Sequence, residues 1–567
     1  MKKQILIGAE FFDRLIEENY FYIDKTMFIK ELLENRGGVT LITRPRRFGK
    51  TMNLSMLRSF FDITRDSKAL FDGLKIMEHQ DIIEKHQNKY PVVFLTLKNV
   101  NTNTFDDAII NIRGLISKIF QYYLYIFESD LLNTYQKGIF ESLLSRKSNI
   151  EDLKSSLEFL TECLYLFHKK RVIILMDEYD APLDCSVKNG YYKEMIDFMR
   201  GFMGNVFKTN DFLEFGVLTG VLRIARESLF SSFNNPKISG IMDKLFSTCF
   251  GFTEEEVKDA CKTLDIENLY PEIKKWYDGY RFGGQDMYNP WSITGFLDAQ
   301  VFDEYWVNTG DTSVLKDVFI KGDTKLKDDL AGLLTGKPIM MNFEEAFTYP
   351  IEYESSDTFW SLLLSAGYIK PCNGAKTERF AAELVNKEIS NVFSYYAKEW
   401  LKRKQITISE TIQDFVKSLL QGDVISVQTI LNEDLLNNPS CHDFKAENSY
   451  HMFIFGILLA VSNDYVVYSN HESGKGRSDC LIKPFDKDKH AVIIEFKHLK
   501  KAPKEKEVLD TLKDEAEKGL SQINEKAYIH NLKQEGYTKI YKYSIAFYKK
   551  DCEVAMETGN ADILSAK

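Results

Sequence analysis

The sequence lacks the features that would place the chain in a membrane or outside the cell. Its eight cysteines are scattered and no two form a CxxC pair, so neither a zinc module nor a disulfide framework is indicated. Its longest apolar run, Met452 to Val461, is far shorter than the roughly 20 residues of a transmembrane helix. The apolar run near the N-terminus ends after a few residues, unlike a signal peptide. We therefore expect a cytoplasmic protein with no membrane partner.

Excess positive charge is also missing, since the formal net charge is -10 at pH 7. This excludes a chain that coats nucleic acid over its whole surface, so any such contact needs a local basic patch. The sequence has no internal repeat and no low-complexity segment. It does have abundant core material, with 44% hydrophobic and 13% aromatic residues, which predicts folded domains.

The order of apolar runs predicts an α/β fold. Through about residue 250, helical patterns separate short runs at Val39–Thr43, Val92–Leu97, Val172–Met176, Phe212–Leu218 and Phe246–Phe250. Buried strands separated by helices indicate a parallel sheet with helices on both faces. A mainly helical middle region follows, and from about residue 440 the pattern is a small α/β unit. We expect three domains, at 1–255, 256–435 and 436–567.

A phosphate site is predicted where the first strand ends. The segment TRPRRFGKT leads from that strand into an apolar helix, so loop amides and the positive helix end face a phosphate. Lys50 would reach the β- and γ-phosphates, and the Thr51 hydroxyl would bind magnesium. Arg44 stands where the usual pattern has glycine. The predicted nucleotide-binding residues of the loop are Arg46, Arg47, Phe48, Gly49, Lys50 and Thr51.

A second element supports a site for ATP and Mg²⁺. The apolar run VIILM ends in Asp177 and Glu178. A strand of this kind delivers an Asp to the magnesium shell, and the adjacent Glu can orient or deprotonate the attacking water. Thr219, at the end of the next strand, is a candidate sensor of the γ-phosphate. Arg223 or Arg226 could stabilise transition-state charge, although a helix cap and two surface arginines would give the same pattern.

A second constellation lies near the C-terminus, in SDCLI and AVIIEFK. Strand alternation puts Glu495 and Lys497 on one face, and hairpin pairing predicts Asp479 beside Glu495. Two carboxylates and the Phe496 carbonyl can hold Mg²⁺, with Mn²⁺ as a possible substitute. Lys497 would polarise the attacking water and offset charge in the transition state.

Two further residues complete this constellation. Glu447, on the preceding helix, would orient a water or hold a second metal, and Gln522 would project from the following helix to the same site. The alternative is a solvated strand face whose Glu and Lys form an ion pair worth less than about 1 kcal/mol. The order of helix Glu, hairpin Asp, ExK and helix Gln favours the site.

These motifs resemble two known families. YIDKT, TRPRRFGKT, MDEYDAPL, WYDGY and YNPWSI are similar to the AAA-ATPase-like family found in many bacteria, over roughly the first 300 residues. In that family an Arg-rich start of the loop is normal. The segment from about 440 to 545 resembles the PD-(D/E)XK nuclease domain commonly fused to these ATPases, with Ser478 in place of proline. We interpret Tyr22, Asp24 and Lys25 as an anchor for the first helix rather than as contacts to the nucleotide base.

The resemblance implies a P-loop NTPase fold joined to a restriction-endonuclease-like domain. The function it implies is an ATPase with a metal-dependent nuclease, in which ATP gates or remodels cleavage of DNA or RNA. The alternative is an ATP-driven switch whose C-terminal domain binds nucleic acid or a protein without cutting. A nucleotide-binding scaffold is a third hypothesis. A homo-oligomer is compatible with each of them.

Overall fold

A computed structural model describes most of the chain. The described residues are 3–224, 236–306, 337–348, 356–372, 379–393, 410–435, 465–473, 476–484, 486–499, 508–525, 529–549 and 551–560, with the single residues Leu326, Asp329, Leu330, Leu333, Ile454 and Leu458. The chain divides into two compact units. The first comprises Met1–Gly310, Met341–Phe380 and Val385–Glu388, and the second comprises Asp311–Met340, Ala381–Leu384 and Ile389–Lys567. The predicted domain limits at 255 and 435 stay predictions.

The first part of the chain alternates helices and strands. Helices α1 to α13 span Phe12–Glu17, Met27–Asn35, Lys50–Phe61, Gln80–His86, Phe105–Tyr122, Leu124–Phe127, Thr134–Leu144, Ile150–His168, Ala181–Asn189, Tyr192–Phe207, Glu254–Thr263, Tyr270–Tyr277 and Pro290–Ala299. Strands β1 to β8 span Val39–Thr43, Val92–Thr96, Val172–Asp177, Leu213–Gly220, Lys237–Ser239, Phe252–Thr253, Tyr280–Phe282 and Gln285–Tyr288.

The first five strands form one parallel sheet in the order β2-β3-β4-β1-β5. All residues of β1 and β3 are buried, so both faces of these strands are covered, as expected for apolar runs without alternation. One face packs on α3, where Leu54, Leu57 and Phe60 join Ile42 and Ile173 in a single core. The predicted parallel α/β sheet is therefore confirmed.

One predicted strand is wrong. Residues Phe246–Phe250 form turns, and the fifth strand of the sheet is the shorter Lys237–Ser239. Phe246 has a φ of 56°, a left-handed conformation that a strand cannot contain. The apolar character of the run has another cause, because Phe246 and Phe250 both pack edge-on against Phe28 of α2.

A three-stranded sheet and short helices follow the parallel sheet. Strands β6, β7 and β8 pair in the order β6-β8-β7, and β7 and β8 form a hairpin. Helix α11 begins with a capping box, since the Thr253 hydroxyl accepts the Glu256 amide and the Glu256 carboxylate accepts the Thr253 amide. Tyr277, Tyr280 and Tyr288 are buried, so they belong to the core.

The remaining elements lead to the C-terminal sheet. In chain order they are β9 Ile339–Asn342, α14 Ser356–Ala366, β10 Ile369–Pro371, β11 Arg379–Leu384, α15 Glu410–Gln421, α16 Val424–Ile430, β12 Tyr465–Ser473, β13 Gly476–Pro484, β14 Ala491–His498, α17 Val508–Glu525, α18 Ile529–Gln534, β15 Lys539–Tyr548 and β16 Asp551–Asn560. The segment HESGKGR, expected as a loop, instead belongs to β12 through Ser473 and to β13 from Gly476.

The C-terminal sheet is mixed. Its order is β12-β13-β14-β15-β16, and only the central pair β14–β15 is parallel. One face packs on α15 and α16, where Phe415 and Leu419 join Ile494 and Phe496 in the core. Helix α17 packs on β14 and β15, with Ile523 against Ile493. The expected small α/β domain after a helical middle region is confirmed.

Candidate active sites

The carboxyl ends of three neighbouring strands lie beside the loop that follows β1. The parallel register pairs Ile42 of β1 with Thr219 of β4, and Met176 of β3 with Leu218 of β4. This register brings the end of the Asp177 strand close to the GKT loop, although β4 lies between them in the sheet. Gly49 has a φ of 78°, a left-handed conformation that glycine adopts without steric cost, and α3 begins directly after it.

The Lys50 ammonium lies inside this loop. It is buried and donates to the carbonyl oxygens of Arg44 at 3.0 Å and Pro45 at 2.9 Å. Burial lowers the pKa of Lys50, and the nearby carboxylates of Glu178 and Asp177 raise it. A buried cation aimed into a loop of backbone amides is suited to binding phosphate oxygens.

The Asp177 carboxylate bridges two hydroxyl groups. Its Oδ2 accepts from the Thr51 hydroxyl at 2.7 Å, and its Oδ1 accepts from the Thr219 hydroxyl at 2.6 Å. Asp177 is buried at the end of β3. A hydroxyl and a carboxylate that meet beside a phosphate loop are the donors that Mg²⁺ prefers, so these residues fit a magnesium–nucleotide pair.

Glu178 follows Asp177 with an unusual backbone. Its φ is 51°, and left-handed backbone in a residue other than glycine costs about 1 kcal/mol or more. Its side chain is half-buried rather than enclosed. Strain of this kind is concentrated at active sites, because the surrounding fold must maintain it. The conformation turns the chain after β3, so that the Tyr179 amide bonds the Thr219 carbonyl at 3.0 Å.

Asp180 is a site residue that the sequence reading missed. Its Oδ2 accepts the backbone amides of Val221 at 2.8 Å and Leu222 at 2.9 Å. Burial raises the pKa of Asp180 to about 6, while these two hydrogen bonds and the Lys50 charge lower it. Asp180 therefore ties the loop after β3 to the residues that follow Thr219. The sequence signal for Asp180 is the run MDEYD, in which a third acid closely follows the two acids predicted to be functional.

Arg44 is structural. It is fully buried, and its guanidinium donates to the carbonyl oxygens of Ser239 at 3.0 Å, Gly240 at 2.9 Å and Phe246 at 3.1 Å. Burial lowers the pKa of Arg44 to about 10. The arginine at the position where glycine is usual thus joins the start of the loop to β5 and to the turns after it.

Arg44→Met is expected to lower the free energy of unfolding by about 3 kcal/mol, because it leaves several buried carbonyl groups without a donor. The first unit comprises roughly 350 residues, so its unfolding entropy is about 0.7 kcal/mol per kelvin and the expected fall in melting temperature is about 4 °C in calorimetry. Arg14→Met is the control, since Arg14 makes an exposed i,i+4 pair with Glu18 that contributes under about 1 kcal/mol. Equal shifts in the two variants would contradict the structural role of Arg44.

The other side of the loop packs on aromatic residues. The Phe48 ring is buried, with its centroid 4.8 Å from that of Tyr280 and 5.0 Å from that of Phe282. The Arg47 guanidinium lies over the Trp291 ring, 4.1 Å from its centroid. The sequence motifs WYDGYRF and YNPWSI therefore support the loop directly. Arg46 is exposed, whereas Arg47 is half-buried and Phe48 is buried.

The Arg223 guanidinium makes an ion pair with Glu345 at 2.8 Å. This contact fits the alternative interpretation, in which Arg223 is a surface arginine. Arg226 lies outside the described residues.

The YIDKT motif acts as an anchor, as expected. The Lys25 ammonium is 2.6 Å from Glu256 of α11, and Asp24 accepts the amides of Thr26 and Lys75.

The C-terminal constellation is assembled on β13, β14 and α17. Antiparallel pairing of Cys480 with Ile494 puts Asp479 beside Glu495, and the Phe496 amide donates to Asp479 Oδ2 at 2.7 Å. The Lys497 ammonium is 3.2 Å from Glu495 Oε1 and donates to Gln522 Oε1 at 2.7 Å.

Gln522 closes this arrangement, because its Nε2 donates to Glu495 Oε1. Glu495 is almost fully buried, whereas the Lys497 side chain is 22% exposed, so the network opens to solvent at the lysine. Two carboxylates on neighbouring strands, one of them inside the fold, fit a divalent cation that keeps several waters. Glu447, the predicted third acid, lies outside the described residues.

Gly519 determines how closely α17 approaches the sheet. A Cβ atom at this position would lie 2.0 Å from the Ser544 hydroxyl and 3.4 Å from Lys497 Cε. Only glycine lets the helix backbone contact β14 and β15 at this point. The close approach brings Gln522, one turn further along α17, within hydrogen-bond distance of Glu495 and Lys497. Sequence periodicity did not identify this glycine, because it lies within an ordinary amphipathic helix.

The two sheets and their side chains define a P-loop NTPase fold and a restriction-endonuclease-like fold on one chain. Comparison with protein families agrees. Residues 6–230 match the predicted AAA-ATPase family model (AAA-ATPase-like), and residues 445–557 match the PD-(D/E)XK nuclease superfamily. The chain therefore carries an AAA-ATPase-like domain and a PD-(D/E)XK nuclease superfamily domain, and the resemblance seen in the motifs is confirmed.

A curated relative extends the comparison. The chain is 28% identical over 320 residues to a protein of Azotobacter chroococcum mcd 1 described as an uncharacterized protein in the vnfD 5′ region. The match spans 56% of this chain and 56% of that protein, so the chain matches about half the length of the relative. Among the helices that the structure describes, none is long and apolar enough to cross a membrane.

Proposed function

We propose that the protein hydrolyses ATP at the P-loop site and cleaves phosphodiester bonds of nucleic acid at the C-terminal site, with ATP controlling the cleavage. The observation that carries the proposal is the closed network of Glu495, Lys497 and Gln522 beside Asp479. On a solvated strand face, a glutamate would be exposed and would not need a hydrogen bond from a glutamine of another element. The two family matches support an enzyme of this class.

At the P-loop site, Lys50 and the loop amides would bind the phosphates, while Thr51 and Asp177 would hold Mg²⁺. When bound, the cation offsets the charge that develops on the transferred phosphoryl group. Glu178 would accept a proton from the attacking water. Thr219 is bonded to Asp177, so it could report whether the γ-phosphate is present.

At the C-terminal site, Asp479 and Glu495 would hold a divalent cation, Mg²⁺ or Mn²⁺, which lowers the pKa of a bound water when it is present. Lys497 would stabilise the negative charge of the transition state, since its ammonium lies at the open edge of the network. Gln522 would keep Glu495 and Lys497 in position. The substrate is DNA or RNA, because both carry the phosphodiester that this set of residues can attack.

The proposal is tested by incubating circular single- and double-stranded DNA, and RNA, with the full chain in manganese, with and without ATP. We expect cleavage by the wild type that depends on ATP. Lys497→Ala should reduce cleavage by on the order of a hundredfold or more, because it removes an electrostatic stabiliser of the transition state. The same variant should hydrolyse ATP at the wild-type rate.

The other possible results of this cleavage assay distinguish between the proposed function and its alternatives. Equal cleavage by Lys497→Ala would identify a contaminating nuclease and overturn the assignment of the C-terminal site. Cleavage that does not respond to ATP would retain the nuclease and remove the proposed control. Tight binding of nucleic acid with no product in magnesium or manganese would favour the alternative, an ATP-driven switch whose C-terminal domain recognises its target without cutting.

A further inference from the structure

Trp306 connects the phosphate loop to a buried carboxyl group. Its indole Nε1–H donates to the carbonyl oxygen of Arg46 at 3.2 Å, and its backbone N–H donates to Glu388 Oε1 at 2.7 Å. The second oxygen of Glu388 accepts from the Ser292 hydroxyl at 2.8 Å. Trp306, Ser292 and Glu388 are all buried, so the two bonds to Glu388 are shielded from water, and the bond to Arg46 is partly buried. One continuous chain of hydrogen bonds thus leads from the loop to Glu388.

Glu388 is an uncommon residue to bury. Its two oxygens are bonded by neutral donors, Trp306 N–H and Ser292 O–H, and the charged groups that affect it most are the acids Glu304 and Asp303. Burial raises the pKa of Glu388 to about 7, the two hydrogen bonds lower it, and the two acids raise it. A buried carboxyl without a cation is unfavourable for folding alone, and such groups are concentrated at functional sites.

Glu388 lies at a point where the chain passes from the first compact unit to the second. Val385–Glu388 is the last segment of the first compact unit, and the chain enters the second unit at Ile389. The residue that ends the hydrogen-bond chain from the P-loop is therefore the residue directly before Ile389–Lys567, the longest segment of the second unit, which contains Glu495.

At the P-loop end of this chain of hydrogen bonds, the Lys50 ammonium is the group that a bound phosphate would contact. The Lys50 ammonium donates to the carbonyls of Arg44 and Pro45, which directly precede the Arg46 carbonyl bonded by Trp306. A bound phosphate competes for the same ammonium group. When Lys50 turns to the phosphate, the carbonyls at 44 and 45 lose their donor and reorient, and the adjoining Arg46 peptide moves with them.

We propose that Trp306 and Glu388 are positioning residues that transmit the nucleotide state of the P-loop to the point where the chain enters the second unit. The inference rests on the proposed function, and supplies a route for the control of cleavage by ATP. ATP binding weakens the bond between the Arg46 carbonyl and Trp306, and the segment around Glu388 loosens.

The test is hydrogen–deuterium exchange by mass spectrometry on the full chain, with and without ATP and magnesium, read at peptides that span residues 385–393. In the wild type, we expect ATP to speed exchange there about fivefold, which is the effect of one neutral hydrogen bond. In Trp306→Phe, exchange should be fast without ATP and should not respond to it. ATP binding itself should tighten by no more than about fivefold, because the variant no longer has the bond that ATP weakens.

Three variants serve beside it. Trp276→Phe is the control for loss of an indole N–H, because this N–H bonds Glu272 on its own helix and a phenyl ring still offers a face to the Lys387 ammonium, so its response should equal that of the wild type. Glu388→Gln keeps the shape of the side chain and removes the cost of burying an acid, so it retains the fold. It should keep most of the ATP response, because the amide oxygen still accepts the Trp306 N–H and the Ser292 hydroxyl can accept from the amide group, whereas Glu388→Leu has no acceptor for either group and should lose the response.

The failures can be told apart. A wild type that does not bind ATP would overturn the proposed function and this inference with it. A wild type that binds and hydrolyses ATP with unchanged exchange at 385–393 would overturn only the inference. An ATP response in Trp306→Phe or Glu388→Leu equal to that of the wild type would also overturn it, since both residues would then be merely structural.

Discussion

Glu495→Gln is expected to abolish cleavage of nucleic acid, with a loss on the order of a thousandfold or more. The substitution removes a buried carboxylate that the network holds for a divalent cation, and metal catalysis of phosphodiester attack contributes several kcal/mol. The fold should remain, because a glutamine amide oxygen still accepts from Lys497 and Gln522. ATP hydrolysis should continue at the wild-type rate, since the two sites lie on different sheets.

The control for this variant is Glu535→Gln. Glu535 makes an ion pair with Lys483 at 2.7 Å in the same unit and is about half-exposed, so its loss changes the charge of the domain equally without touching the site. The measurement is the initial rate of cleavage of circular DNA in manganese. Cleavage by Glu495→Gln at more than a tenth of the wild-type rate would rule out Glu495 as a metal ligand.

Glu178→Gln is expected to stop ATP turnover while ATP binding persists. A general base contributes about a hundredfold to ten-thousandfold, so kcat should fall within that range. Binding should change little, because the phosphate contacts are assigned to Lys50 and the cation contacts to Thr51 and Asp177. Lys50→Ala should differ from Glu178→Gln, because it should already weaken the binding of ATP.

Phosphate release at saturating ATP and a fluorescent-nucleotide titration separate these two effects. Glu194→Gln is the control, since Glu194 is an exposed acid on α10 away from the loop. If Glu178→Gln retained kcat within about threefold of the wild type, the base would have to be another group. Asp180, the buried acid that accepts the amides of Val221 and Leu222, would be the next residue to test.

The site could be predicted from sequence to the extent that it follows strand order. Asp177, Thr219 and the GKT loop all follow apolar runs, and the carboxyl ends of parallel strands lie at one edge of a sheet. Strand alternation in the same way put Glu495 and Lys497 on one face. The roles of these residues stay predictions, and Glu447 lies outside the described residues.

The wrong strand at Phe246–Phe250 has a general cause. A short apolar run is equally suited to a strand or to a turn that packs rings into a core, and only the backbone conformation distinguishes them. Phe246 adopts a positive φ because Phe28 of a distant helix receives its ring. No local signal in five residues contains that information.

The sequence by itself determined the strand-loop-helix with the predicted phosphate site, the acids after β3 and the alternation along β14, because each depends on residues close together in the chain. Only the tertiary structure decided what supports them. Arg44 bonds carbonyls about 200 residues away, Phe48 packs on the hairpin of β7 and β8, and Trp306 bonds the loop and Glu388. Contacts of this range depend on how the whole chain packs, which a local pattern of residue types does not record.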